Sequence, residues 1–402
     1  MNVIEEFQKF KSWLIVHKEN YVQLLKEKPY CIEVKHDNVF GKDMVLFKYS
    51  QIESDFNEPF VRICRGLILD ANSFDVICFP FVKFFNYGEC YADEIDWKTS
   101  VVSSKIDGSI IKVVAIDNGN YLISTNSTID AFKCNLTSNV GCPYKTFGEL
   151  AMEGFKHYGL TIEDFPRLFA PGYTYIFELT SPWNQVVVRF EETKVWFLGV
   201  RDNSTFKETF YGDHVLSQTF DTPHVFPITT IDQCIAASKV LPEDAEGYVV
   251  CDAEFRRIKV KSPRYVQLHY MAGNQNWSTR RVLEILLTNE VSEYIAYFPL
   301  FKAAFDVVKA KYEAYLHDLE DMQVAIDNLL EVYNGSMPKK EFARWVFASR
   351  SSKVYSGFAF AYFDCVYGGV VKEHPIRSAK DYVDSMGIGR LVDALGLKNG
   401  EE

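Results

Sequence analysis

The apolar pattern of this 402-residue chain changes its period once, near Tyr265, and that change limits the folds open to it. Beyond it, Phe301, Phe305, Val308, Tyr312, Tyr315, Leu319, Met322, Ile326, Leu329 and Tyr333 recur at alternating spacings of four and three. That spacing predicts one long amphipathic helix with a narrow seam, ended by Gly335 and Pro338. Such a seam serves either a two-chain coiled coil or a helix packed inside a helical domain. Further helical segments at Glu341–Phe347 and Ser356–Tyr367 favour the second use, and a monomer. Before Tyr265 the apolar residues fall in short β-branched runs between turn formers, the pattern of paired strands. The expected class is α+β: antiparallel sheets with flanking helices over 1–264, then an all-α domain over 265–402.

Within the first part, Phe7, Phe10, Trp13, Leu14, Val22 and Leu25 give Glu5–Leu25 helical spacing, and 146–170 also reads as helical. Strands are expected at Met44–Tyr49, Gly66–Leu69, Tyr173–Leu179, Gln185–Phe190 and Lys194–Val200. Hairpins are expected over Val101–Thr125, turning at Asp117-Asn118-Gly119-Asn120, and over Gly247–Val260. With 48% hydrophobic and 15% aromatic residues, the chain can build a sizeable core. The nine cysteines are odd in number and contain no C-x-x-C pair, which predicts reduced thiols and a cytoplasmic protein. Met1 to Lys11 is charged, unlike a secretory leader, and no apolar run is long enough to span a bilayer. The net charge of −11 argues against a protein that coats nucleic acid without specificity. It leaves room for a local basic cleft, for which Arg256, Arg257, Lys259, Lys261 and Arg264 are candidates; a solvated strand edge is the other use of such a stretch.

Lys105 opens the run Lys105-Ile106-Asp107-Gly108-Ser109, with β-rich sequence on each side. Asp107 and Gly108 suit a tight turn that presents the lysine. A lysine amine is protonated at neutral pH, since its reference pKa is about 10.4; nearby cations or desolvation free it to act as a nucleophile. Alone, Lys105 reads equally as a solvated hairpin lysine, so its meaning depends on its companion segments along the chain. Arg65 precedes Gly66 at the start of an apolar strand, where a guanidinium can reach phosphate oxygens. Lys83 lies among Phe81, Phe84 and Phe85, either as a cation in a semi-apolar wall or as a snorkelling side chain. Glu178 sits inside an apolar strand, where an unpaired carboxylate is costly, so it faces a cleft or a structural ion pair. Glu246 directly precedes a strand and can hold Mg²⁺ through oxygen. Lys259 and Lys261 share one strand face, an arrangement an anion between them would favour.

These segments, in this order, resemble the covalent nucleotidyltransferases, and in detail the RNA ligase 1 family of the bacteriophage tRNA-repair type. The likeness runs from about residue 45 to 270. It rests on Arg65-Gly66, Lys83-Phe84-Phe85-Asn86, Lys105-x-Asp-Gly-Ser and Phe177-Glu178 with Pro182 and Asn184. Val200-Arg201, Glu246-Gly247-Tyr248-Val249, Lys259-x-Lys261-Ser262, Tyr265-Val266 and Leu268-His269 complete it. It implies a nucleotidyltransferase (adenylation) domain over 1–264 and an ATP-dependent ligase that joins 5′-phosphate and 3′-hydroxyl RNA ends through lysyl-AMP and RNA-adenylate. It implies Lys105 as nucleophile; Arg65 and Lys83 on phosphates; Glu178 on the ribose; Lys259 and Lys261 on the α-phosphate; and Tyr49 in the nucleotide pocket. ATP, with Mg²⁺ or Mn²⁺ at Glu246, would be required, and the partner would be RNA, as broken tRNA or single-stranded ends. The implied setting is a bacterial or virus-infected cytoplasm. The chain departs from the phage-type pattern at Ser124-Thr125-Asn126, where that pattern carries a basic residue. A capping guanylyltransferase, a DNA ligase and a non-catalytic RNA-binding module are the competing readings; the helical tail weighs against the first two, which usually append a β-barrel.

Overall fold

Short β-rich runs separated by turns pair with their neighbours in the chain, so the sheets are built mainly of antiparallel hairpins. The computed structural model describes residues 2–397 apart from 52, 137–141, 243, 267–278, 288–290, 292–294, 296–301, 334–336, 349–354 and 369–374. The chain packs as two units, Met1–Asn274 and Gln275–Glu402.

In the first unit, β1 (Ile32–Val39), β2 (Lys42–Tyr49), β3 (Arg65–Asp70) and β4 (Val76–Cys78) form a sheet in that order. Next along the chain come β5 (Phe85–Asn86), β6 (Val101–Lys105), β7 (Ser109–Ala115), β8 (Tyr121–Thr125) and β9 (Tyr173–Thr180). They are followed by β10 (Lys194–Asp202), β11 (Glu208–Phe210), β12 (Val225–Phe226), β13 (Gly247–Cys251) and β14 (Arg257–Lys261). The second sheet has the order β11-β10-β9-β7-β8 and the third β12-β6-β13-β14-β5. Among the described strands only β5 with β14 is parallel. Alternation gives the first sheet two apolar faces. Phe47, Leu67 and Leu69 pack under helix α1 (Val3–Val16), while Met44, Leu46 and Ile68 meet Val114 and Leu122 of the second sheet. The second sheet's other face packs Phe177, Leu179 and Phe197 against Leu150 and Phe155 of a helix at Phe147–Lys156.

Three sequence expectations need correction. Glu5–Leu25 is two helices, Val3–Val16 and Tyr21–Lys26. The break comes where Asn20 closes a tight turn on His17 and its carbonyl accepts from Gln23 and Leu24, starting a new helix, as asparagine favours. The 146–170 stretch holds a helix only to Lys156; Gly159, at φ +70°, turns the chain before a short helix at Phe165–Leu168. Gln185–Phe190 is loop, not strand, for a reason given with the site.

A buried ion triad links the second and third sheets. Glu208 on β11 accepts from Arg201 of β10 and, at 2.6 Å, from Arg257 of β14. The two guanidinium groups lie over the rings of Phe79 and Phe81. All three groups are buried, and Glu208 pairs with both guanidinium groups, leaving Arg201 Nε without a partner.

In the second unit one helix runs Lys302–Val332, burying Phe305, Val308, Leu319, Met322, Ile326 and Leu330. Leu330 takes the seam position expected of Leu329, as a 3.6-residue turn drifts against a 3.5-residue repeat. Helices Thr279–Leu287, Ser356–Val366 and Ala379–Ser385 pack on it, so its seam is used within the chain. Phe301, Gly335, Leu268 and His269 lie outside the described residues. Among the described residues no helix is long and apolar enough to cross a membrane.

Candidate active site

β6 ends on Lys105 and β7 begins on Ser109, so the segment between them passes from the third sheet to the second. Asp107 holds that crossing in place. Its carboxylate is buried and accepts from the amides of Val187 (2.9 Å) and Val188 (2.7 Å) and from the Tyr265 hydroxyl (2.7 Å). Those two amides serve the carboxylate instead of a ladder, which is why 185–190 is loop despite its valines. Gly108 is needed for a close approach, since a Cβ there would stand 2.3 Å from the Leu179 carbonyl oxygen.

Register brings the lysines together. Gly247 on β13 lies opposite Lys105 on one side and Lys261 on the other. A side chain at Gly247 has no room: its φ is +150°, and a Cβ would meet the Val260 oxygen at 2.4 Å. Glu246, 3% exposed, reaches back across this row. It accepts from Lys105 Nζ at 2.6 Å, and Lys261 Nζ stands 3.6 Å from its other oxygen. Lys259 falls on the same face of β14 as Lys261, and its ammonium is 5.6 Å from the Phe84 ring centre. Arg65, at the start of β3, lies over the same ring at 5.3 Å.

Glu178 on β9 is the third carboxylate here. Burial pushes its carboxyl up from an ordinary 4.5 to about 8, with Glu246 and Asp107 adding and Lys105 and Arg65 opposing. It is therefore neutral at pH 7 and can donate as well as accept a hydrogen bond. Lys105, Glu178, Glu246, Lys259, Lys261 and Arg65 all line one cavity of about 490 Å³. Its remaining wall is largely apolar, including Phe81, Phe84, Ile106, Phe147 and Leu198.

Tyr49 and Lys83 are not in that wall. The Lys83 ammonium is held by three aromatic rings, 5.2 Å from Phe85, 5.4 Å from Tyr49 and 5.5 Å from Phe56. Phe84 instead reaches the cavity, a role that sequence reading did not give it. The basic stretch 256–264 is likewise divided. Arg256 is bound by Asp252 (2.8 Å) and is not in the cavity wall; Arg257, Lys259 and Lys261 line the cavity, Arg257 while paired with Glu208. Sequence reading gave Asp107 a turn rather than its part as a buried pin, and passed over the fully buried Lys112. The Lys-x-Asp-Gly motif signals the first; nothing in a β-branched run signals the second.

Among the described residues no three of His, Cys, Asp and Glu gather as a metal cage. Glu246 alone fits a magnesium-type ion, which needs only one or two carboxylates when substrate phosphates and water supply the rest.

The family profile described as RNA ligase matches residues 63–265, just over half of the chain. A protein of Autographa californica nuclear polyhedrosis virus, described as a proposed bifunctional polynucleotide kinase/RNA ligase, is 28% identical over 292 residues, 67% of this chain and 40% of its own length. An RNA ligase of Rhodothermus phage RM378 is 29% identical over 189 residues, 40% of this chain and 41% of its own. The chain thus spans about two fifths of the length of these relatives. Among solved structures, an archaeal ATP-dependent RNA ligase aligns with 73% of this chain and 78% of its own at 11% identity and TM-score 0.44. A Naegleria gruberi RNA ligase variant with ATP and Mn aligns over 42% and 51% at 13% identity and TM-score 0.34. The matched residues 63–265 include every polar residue named in the cavity wall, from Arg65 through Lys105 to Lys261, and the chain belongs to the RNA ligase family.

Proposed function

We propose that this chain joins RNA ends with ATP by way of a lysyl-AMP intermediate. The observation that carries this reading is the row of Lys105, Gly247 and Lys261, with the Glu246 carboxylate between two ammonium groups inside a nucleotide-sized cavity. Lys105, hydrogen-bonded to Glu246, must shed a proton before its nitrogen has a lone pair to attack with. That nitrogen bonds to the α-phosphorus of ATP as the bond to pyrophosphate breaks. Lys259 and Lys261 face the charge that grows on the α-phosphate oxygens. Neutral Glu178 hydrogen-bonds a ribose hydroxyl, and Arg65 takes phosphate oxygen at the rim. Bound through Glu246, Mg²⁺ or Mn²⁺ would offset triphosphate charge and stabilise the departing pyrophosphate. In the second step an RNA 5′-phosphate oxygen attacks the AMP phosphorus and the lysine nitrogen leaves, recovering a proton. In the third an RNA 3′-hydroxyl attacks that 5′-phosphate and AMP departs. Lys83 would have to leave its aromatic cage to reach a phosphate, so contacts from Lys83 and Tyr49 form no part of this reading. We assign the choice of RNA, broken tRNA or single-stranded ends, to the helical residues 265–402, acting as a monomer in the cytoplasm.

The test is to incubate the full chain with ATP or GTP labelled at the α-phosphate, then chase with 5′-phosphorylated RNA or nicked DNA. Label from ATP that passes to RNA and yields joined product supports the reading. Label from GTP alone points to capping, joining of DNA alone to a DNA ligase, and RNA binding without label to a non-catalytic module.

A further inference from the structure

Lys112 lies mid-strand on β7 with none of its surface exposed. Its ammonium donates to the Thr125 carbonyl at 2.5 Å and the Gly66 carbonyl at 3.3 Å. Among the described residues no carboxylate pairs with it. The titratable groups facing it are the buried Cys78 thiol of β4 and the guanidinium of Arg65, a second cation. Burial pushes Lys112 down to about 8, so much of its charge persists near neutral pH. A buried charge without a counterion is costly, and a second cation beside it adds to the cost. Two carbonyls could be satisfied by a neutral donor at less cost, so the charge itself calls for an account.

The place of Lys112 supplies one. The two carbonyls it joins belong to the segments that form one lip of the nucleotide cavity, Arg65-Gly66 on β3 and Thr125-Asn126-Ser127 at the end of β8. Gly66 shows how closely they meet. At φ +80°, a Cβ there would stand 2.6 Å from the Asn126 Cα and 2.9 Å from Lys112 Nζ.

Building on the ligase reading, we propose that Lys112 is a positioning residue for a phosphate subsite at this lip: it fixes Arg65 against residues 125–127 and adds its own charge from beneath. The ligand class is a phosphate group, either the polyphosphate tail of the nucleotide or the 5′-phosphate of an RNA end. A bound phosphate would supply the counter-charge that the protein does not.

The test compares full-length wild type with Lys112→Met, Lys112→Gln and the double variant Lys112→Met/Thr125→Lys, with thermal unfolding followed alongside. Affinity is titrated for inorganic tripolyphosphate and for one oligoribonucleotide carrying a 5′-phosphate or a 5′-hydroxyl. Both single variants should bind one phosphate probe about tenfold more weakly, the scale of one charge-assisted contact. Loss on tripolyphosphate assigns the lip to the nucleotide tail; loss on the 5′-phosphate oligomer, but not its 5′-hydroxyl form, assigns it to the RNA end. Thr125→Lys should recover most of the loss, since Thr125 lines the cavity at the same spot. If Lys112→Met does not fold, Lys112→Gln, which keeps donors without the charge, carries the test. Single variants that fold and bind both probes within twofold of wild type overturn the proposal. So does a double variant as weak as Lys112→Met, which would make Lys112 a neutral pin. A wild type that binds the probes but forms no lysyl-AMP sinks the ligase reading and leaves the phosphate lip standing.

Discussion

At the scale of single residues, the site separates cations that face the cavity from cations bound elsewhere. Lys259→Ala and Lys261→Ala should each slow lysyl-AMP formation by roughly 10²–10³, the effect of removing one preorganised charge. Arg256→Ala should cost far less, because its guanidinium is bound to Asp252. Equal losses at all three positions would mean a diffuse basic patch. Glu178 gives a pH test. Its folded pKa of about 8 lies above its ordinary 4.5, so the folded state holds a proton that the unfolded state has released. The stability this contributes is full below pH 4.5 and is lost as pH rises to about 8. Metal-free wild type should therefore lose thermal stability more steeply between pH 5 and 8 than Glu178→Gln. Parallel melting profiles would show that the carboxyl is not held neutral. The gathering of Lys105, Glu178, Glu246, Lys259 and Lys261 was legible in the chain, because they lie on or beside strands that register aligns. The separation of Lys83 from them was not. Its neighbours Phe84 and Phe85 read alike in sequence, yet one reaches the cavity and the other helps cage the lysine.

Among the elements, strand pairing places Lys105 beside Lys261, and buried polar groups link the sheets. Short β-branched and apolar runs between turn formers foretold β7, β9, β10 and the β13–β14 hairpin. It failed at Gln185–Phe190, where a long-range carboxylate, Asp107, claims two amides that a strand would have used. A local pattern cannot reveal a partner 80 residues away. The triad of Arg201, Glu208 and Arg257 was hidden for the same reason, since its members come from three strands of two sheets. Glu208→Ala would remove the carboxylate that pairs two buried guanidinium groups. It should cost about 3–5 kcal/mol of stability, read by denaturant unfolding. A loss under about 1 kcal/mol would mean that water or rearrangement satisfies them.

For the whole molecule, the polar cavity residues fall within Met1–Asn274, while Gln275–Glu402 packs around its own long helix. The change of period near Tyr265 made the passage from strands to helices legible; the role of the helical unit was not, since helical spacing records only what the helices bury. A soluble 1–274 fragment should still form lysyl-AMP and should lose the full chain's preference between a nicked tRNA loop and an unstructured oligomer. An unchanged preference would place RNA choice in the first unit. The most direct measurement of the central claim is mass spectrometry of the chain after incubation with ATP and Mg²⁺. The account predicts one AMP added, in phosphoramidate linkage, on the peptide that contains Lys105, and no adduct on Lys105→Ala despite an unchanged melting profile. An AMP adduct on any other residue, or undiminished labelling of Lys105→Ala, would contradict it.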